Sequence, residues 1–343
     1  MDANQPVLEL EDVSIVYDSA SGPVQAVSDV SLTLYPNQVL GLIGESGSGK
    51  STLAHAIMRL LRGNARLTQG RIRVMGQDVY ALSPKQLRTF RWNQMAMVFQ
   101  SAMTALNPVM TVERQLVDTL RSHRPEMSYQ EARQKAVELL KLVRIDERHL
   151  RSYPHELSGG MRQRVVIAIA IALEPALVIM DEPTTALDVV VQRSILNQIQ
   201  ELQQQRGFAI LFISHDFSLV AEFASRVAIM YAGRIVENTD AKALRLGEAG
   251  HHPYTEGLMR AIPRLTHEDV EIEGIPGNPP DLQQLPEGCA FHPRCPYATE
   301  ACRVVRPRRH EVNGRWVECH LYEAEREGAY TWPSPRPTST LTT

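Results

Sequence analysis

Two short stretches carry residue types at spacings that could do chemistry on a phosphate. The first is GESGSGKS, Gly44 to Ser51, which has the form G-x-x-x-x-G-K-S. Glycines at these positions let a backbone curl so that successive N–H groups face an anion, and a helix N-terminus behind them adds positive potential. In such a loop Gly44, Ser46, Gly47 and Gly49 shape the cradle and Lys50 reaches the β- and γ-phosphates. The hydroxyls of Ser51 and Thr52 open the following helix, with Ser51 on Mg²⁺. The second stretch is LVIMDEP, where Asp181 ends an apolar run and Glu182 follows it. A carboxylate at a strand end can hold the shell of a magnesium ion, and its neighbour can orient a water or take its proton. Either stretch alone could be a glycine turn or a structural acidic pair. Together they read as a nucleotide-hydrolysis site using Mg²⁺.

The elements that must position these groups follow from the apolar pattern. VLGLIG (39–44), MAMVFQ (95–100), ALVIMDE (176–182), AILFISH (209–215) and VAIMYAG (227–233) are short apolar runs of the kind that form strands buried on both faces. Several lead into helical patterns, among them KSTLAHAIMRLL and VVVQRSILNQIQELQQQ; in the latter Val191, Ile195, Ile199 and Leu202 share a face. Strands alternating with helices predict an α/β core on a largely parallel sheet. Residues 107–150 break the alternation and predict an all-helical insertion. After about residue 245 the text turns rich in Pro, Gly and Asn, which predicts a boundary and a small irregular C-terminal extension, followed by a disordered tail over 329–343. The chain has 343 residues, 43% hydrophobic and 22% charged, with a formal net charge of −3. Those values suit a globular protein and give no global basic field for nucleic acid. The N-terminus lacks the pattern of a secretory leader, and the most apolar run is broken by Glu174 and Pro175, so a cytosolic location is expected.

Further motifs lie between and beyond the two stretches. LSGGMRQR (157–164) precedes a helical run, and with it the chain resembles the ATP-binding cassette (ABC) ATPases over roughly residues 6–245, the motifs coming in family order. The resemblance implies a P-loop ABC ATPase core over 1–245, with an all-helical signature subdomain at about 101–160. It implies that Tyr17 stacks on adenine, that Gln100 is the Q-loop glutamine reaching the magnesium and the reacting phosphate, and that Ser158, Gly159 and Gly160 are the signature. Asp181 becomes the magnesium-shell aspartate, Glu182 the catalytic glutamate, Asp188 in TALD the D-loop residue and His215 the switch histidine. Met161 stands where the family usually has Gln. Two such domains meet head to tail, so the signature of one would serve the nucleotide of the other.

One phosphate loop, one signature and a short gap from Gln100 to Leu157 are similar to a transporter ATPase rather than a translation factor or a chromosome machine. The segment from Gln100 to Thr111 is then expected to help dock a permease helix. SAMTALNPVMTV (101–112) and HHPYTEGLMRAIP (251–263) resemble the oligopeptide/dipeptide importer ATPases, closest to the D type, with an extension over 246–328. That resemblance implies peptide import, with nickel, glutathione or oligosaccharides as alternative cargoes. The implied partners are a second ATPase subunit (a different F-type chain), two membrane permeases and a substrate-binding protein, at the cytoplasmic face of the membrane. A nucleic-acid-remodelling ATPase is the rival reading. All four cysteines, Cys289, Cys295, Cys302 and Cys319, fall in the extension. Their spacing lacks the tight pairs of structural zinc, and Arg294, Arg303 and Arg306 stand near to offset charge. A [4Fe–4S] cluster, for which this family's extension is known, is therefore the expectation. Zinc (with His292 or His320) and unliganded or disulfide-linked cysteines are the alternatives.

Overall fold

The computed structural model describes residues 5–100, 105–184, 187–261, 274–312 and 314–326, with the side chains of 324–326 left out. The expected tail (329–343), part of TALD and the start of the docking segment (101–104) lie outside the described residues.

Twelve strands are named in chain order: β1 (Leu8–Ser19), β2 (Gly22–Leu34), β3 (Val39–Ile43), β4 (Ala65–Val74), β5 (Gln77–Asp78), β6 (Met95–Val98), β7 (Leu177–Asp181), β8 (Ala209–Ser214), β9 (Arg226–Tyr231), β10 (Arg234–Asp240), β11 (Arg309–Val312) and β12 (Arg315–Glu318). They form two sheets. The smaller is antiparallel, in the order β2-β1-β4-β5. The larger runs β11-β12-β10-β9-β3-β8-β7-β6. Its five central strands, β9, β3, β8, β7 and β6, pair in parallel, and they correspond to the five apolar runs of the sequence. Those runs are apolar throughout because both faces of the sheet are covered. Leu40, Leu42, Leu177, Ile179, Leu211 and Ile213 face one core with the smaller sheet, whereas Ile43, Val178, Met180, Ile210 and Phe212 face a second core with the helices.

The helical insertion is present as Val112–His123 and Tyr129–Leu142. The first is capped by Thr111, and the second by Ser128 in a capping box with Glu131. Such caps satisfy N–H groups that a helix start leaves without partners, each worth about 1 kcal/mol. Their buried faces (Leu116, Leu120, Ala132, Ala136, Leu140) close on the signature helix Gly159–Ala170. The chain therefore has an α/β core on a largely parallel sheet, with an all-helical subdomain and a C-terminal extension.

The extension is more regular than its composition suggests. Its hairpin β11–β12 joins the edge of the main sheet, with Glu237 opposite Val317 and Asn238 opposite Trp316. A second attachment is aromatic. Phe291 packs on Tyr231, Tyr254 and His252, with ring centroids 5.2, 5.4 and 5.7 Å away.

Candidate functional site

Parallel strands that lie side by side bring their C-terminal ends to one edge, and in open α/β sheets that edge is where ligands bind. Here β3, β8, β7 and β6 are neighbours. The loop after β3 is Gly44–Ser51, β7 ends in Asp181, His215 follows β8 and Gln100 follows β6. The topology thus assembles residues that lie far apart in the sequence.

The loop after β3 is built for close approach. A Cβ on Gly44 would stand 2.1 Å from the Met230 carbonyl oxygen. Gly49 has φ +103°, and a Cβ there would come within 2.3 Å of the Ala26 carbonyl oxygen. Neither position tolerates a side chain. Gly49 is also the N-cap of the helix Lys50–Ile57 and offers its first N–H groups no side-chain acceptor; those donors suit an anion. Ser46 and Gly47 are exposed, whereas Ser48 and Lys50 are buried. The Lys50 ammonium donates to the Gly44 and Glu45 carbonyls at 2.7 and 2.8 Å and to Ser48 Oγ at 3.2 Å. Burial lowers its pKa, against the opposing charges of Glu182, Asp181 and Glu45. An anionic phosphate there would stabilise the charged form.

Ser51 Oγ donates to Asp181 Oδ1 at 3.3 Å. Burial raises the Asp181 pKa, which the Ser51 hydrogen bond partly offsets. A hydroxyl and a buried carboxylate at this separation fit a magnesium ion, because a cation would relieve the cost of the buried charge. Glu182 has φ +47°, a strained conformation for a residue with a side chain. Its N–H still donates to the Ile213 carbonyl at 2.9 Å. Its carboxylate lies between Gln100 Nε2, which donates to Oε2 at 2.6 Å, and His215 Nδ1, 2.9 Å from Oε1. The Tyr17 hydroxyl is 3.2 Å from Thr52 Oγ1, which sets this half-buried ring beside the helix that opens at Lys50.

The signature and D-loop residues cap two adjoining helices. Ser158 is exposed and caps the signature helix, its Oγ accepting from Met161 N–H at 3.3 Å. A Cβ on Gly160 would touch Val191 Cγ1 at 2.7 Å, so Gly159 and Gly160 lie where that helix meets Val189–Arg206. Asp188 is exposed and caps this second helix through Val191 N–H at 2.9 Å.

The metal expectation for the extension is corrected. Among the described residues no group of three or more His, Cys, Asp or Glu is arranged to hold a metal ion. Cys289, Cys295, Cys302 and Cys319 are free thiols, the last two buried. Burial pushes the free Cys289 thiol up to about 11 and Cys295 up to about 12, and it raises Cys319 further. They contribute instead to packing and backbone order: Cys289 and Cys295 pack against the helical-side core, and Cys289 N–H donates to the Cys302 carbonyl at 2.9 Å. Arg294 is also not a partner of the cysteines. It forms an ion pair with Glu45 of the phosphate loop at 2.7 Å. Neither Glu45 nor Tyr254, whose hydroxyl accepts from Glu45 N–H at 2.9 Å, was visible as a site residue in the sequence.

Comparison with known proteins gives the class and then the family. Residues 27–185 match the family described as ABC transporter, and residues 236–302 match the oligopeptide/dipeptide transporter C-terminal region. The dimeric ATP-binding cassette MJ0796, solved in a post-hydrolysis state with ADP and Pi, superposes with a TM-score of 0.61 at 28% identity, covering 68% of this chain and 98% of that one. This is an ABC ATPase. The dipeptide transport ATP-binding protein DppD of Caldanaerobacter subterraneus subsp. tengcongensis is 39% identical over 93% of this chain and 98% of its own length. The oligopeptide transport ATP-binding protein OppD of Salmonella typhimurium is 44% identical over 91% and 93%. The chain belongs to the ATP-binding subunits of the dipeptide/oligopeptide importer family, and its activity is ATP hydrolysis in a multi-subunit transporter. Among the described residues no helix is long and apolar enough to cross a membrane.

Proposed function

We propose that this subunit powers peptide import from the cytoplasmic face of the membrane, with its own phosphate loop and a partner's signature enclosing each ATP. The observation that carries the hydrolytic reading is the Glu182 carboxylate, fixed between Gln100 and His215 beside the Ser51–Asp181 pair. Lys50 and the N–H groups of Gly44–Ser51 bind the phosphates, and Tyr17 supports the base. Ser51, Asp181 and Gln100 would hold magnesium, which supplies charge compensation at the phosphates. Glu182 orients the attacking water and accepts its proton, and His215 keeps the carboxylate aimed. Ser158, Gly159 and Gly160 serve the partner's nucleotide, and Asp188 lies at the junction.

Exposure of Ser158, and of Val189 and Val190 just beyond Asp188 (67% and 79%), supports a composite site. Such apolar exposure suits a covered surface. The partners on this reading are a second, F-type ATPase subunit, two permeases and a substrate-binding protein, with the segment through Thr111 docking a permease helix. The test is peptide uptake by the assembled transporter in liposomes. Ser158→Arg should leave ATP binding to this chain's own loop within about 2-fold and lower uptake at least about 10-fold, the loss expected when a phosphate-stabilising donor is removed. Undiminished uptake would refute the composite site, and uptake of nickel or oligosaccharide in place of peptide would refute the cargo.

A further inference from the structure

Glu45 is the second residue of the phosphate loop, and its environment comes largely from a segment about 250 residues away in the sequence. Its carboxylate receives both ends of one guanidinium: Arg294 Nη1 donates to Oε2 at 2.7 Å and Nη2 to Oε1 at 2.9 Å. Its N–H donates to the Tyr254 hydroxyl at 2.9 Å. Its carbonyl accepts from Lys50 Nζ at 2.8 Å and from Ser48 N–H at 3.2 Å. Every polar group of Glu45 is therefore engaged, two of them by the C-terminal extension.

The arginine is held in turn. Its Nε donates to the Pro276 carbonyl at 2.8 Å, and the guanidinium carbon lies 5.8 and 5.9 Å from the ring centroids of Tyr231 and Phe291. Its side chain is 5% exposed and that of Glu45 26%. A bidentate pair in so dry a place fixes geometry as well as charge. The Glu45 hydrogen bonds, which outweigh desolvation, raise the Arg294 pKa further.

Two consequences meet at the nucleotide. Without Arg294 the carboxylate at position 45 would leave an unbalanced negative charge beside the phosphate loop, where it is already felt at Lys50. The Glu45 carbonyl is also one of the oxygens that hold Lys50 in place, so a shift of Glu45 displaces the lysine. On its other side Gly44 packs closely against the Met230 carbonyl of β9, with no room for a side chain. The loop is thus gripped between the sheet and the extension.

We infer that Arg294, assisted by the Tyr254 hydroxyl, is a positioning residue for ATP: the extension neutralises Glu45 and holds the phosphate loop in the form that receives nucleotide. The inference rests on the reading of Gly44–Ser51 as the ATP site. It assigns the extension a part in nucleotide affinity.

The experiment measures ATP and Mg²⁺ binding to the full chain by displacement of a fluorescent trinitrophenyl-ATP, with thermal unfolding measured in parallel. Arg294→Met should weaken ATP by about 10-fold, the low end of what a lost hydrogen bond to a charged group costs. Arg294→Lys, which keeps charge without the fork, should fall between the two. In the assembled transporter Arg294→Met should raise KM for ATP and leave kcat within about 2-fold, the signature of lost ground-state binding. Tyr254→Phe, which removes only the hydroxyl, should weaken ATP by about 3-fold and serves if Arg294→Met does not fold. A folded Arg294→Met or Tyr254→Phe chain whose ATP affinity matches the parent would overturn the inference, even with a lowered Tm. Lys50→Ala is the control for the underlying reading: if it binds ATP as the parent does, the site assignment fails rather than the role of Arg294.

Discussion

His252, in the turn that carries Tyr254 to the phosphate loop, should make the protein acid-sensitive in a predictable window. The ring is 1% exposed, and its Nδ1 accepts from Tyr254 N–H at 3.0 Å, capping the helix Pro253–Arg260. A proton on Nδ1 would set donor against donor in a dry site. Burial lowers the His252 pKa from 6.5 to about 4, although the nearby Glu237 carboxylate pulls the other way. Glu237 is itself fully buried. Burial opposes its charge, but hydrogen bonds from His251, Thr255 and His252 N–H prevail and lower its pKa. The sign follows from proton uptake. Below pH 6.5 the unfolded chain protonates His252 and the folded chain does not, so stability falls with pH and levels off near pH 4. Each tenfold gap in proton affinity is worth about 1.4 kcal/mol, so the loss is about 2 kcal/mol at pH 5 and about 3 kcal/mol at pH 4. Urea unfolding at pH 7.5 and at pH 5, compared between the parent and His252→Asn, reads this directly. Asparagine retains a capping oxygen but does not titrate. The parent should lose about 2 kcal/mol more than the variant over that interval. Equal losses would refute the assignment of the acid sensitivity to His252.

Other perturbations probe separate parts of the account. Phe291→Ala removes the ring that Tyr231, Tyr254 and His252 enclose, and should cost about 3–5 kcal/mol in urea unfolding; a loss below about 1 kcal/mol would show that the ring does not anchor the extension. Ser158→Arg should separate ATP binding from uptake, as described above, whereas Arg294→Met should separate ATP affinity from turnover.

The sequence made the centre of the fold legible because β3, β6, β7, β8 and β9 are buried on both faces and so read as unbroken apolar runs. The smaller sheet was missed for the converse reason. In β4, Arg66, Thr68 and Arg71 interrupt the apolar residues, and only Ile72 and Val74 are fully buried. The hairpin β11–β12 was hidden because its pairing partner, β10, lies about 80 residues earlier and no local pattern announces the contact. Gln100, Asp181, Glu182 and His215 were identifiable by motif, and the parallel strand ends show why they converge. Arg294 was read as a neighbour of the cysteines because sequence proximity was the only guide; its partner across the fold is Glu45. The cysteine spacing suggested a cluster, but spacing along the chain does not fix arrangement in space, and among the described residues no three metal-ligating side chains are grouped to hold an ion.

On the proposed reading, Glu182, held by Gln100 and His215, acts on the water that cleaves ATP. The direct measurement is single-turnover hydrolysis of ATP by the assembled transporter carrying Glu182→Gln, with ATP binding measured on the same preparation. Binding should stay within about 3-fold of the parent while hydrolysis slows by about 10²- to 10⁴-fold, the usual cost of losing a general base. Hydrolysis retained above about a tenth of the parent rate, with ATP bound, would contradict it.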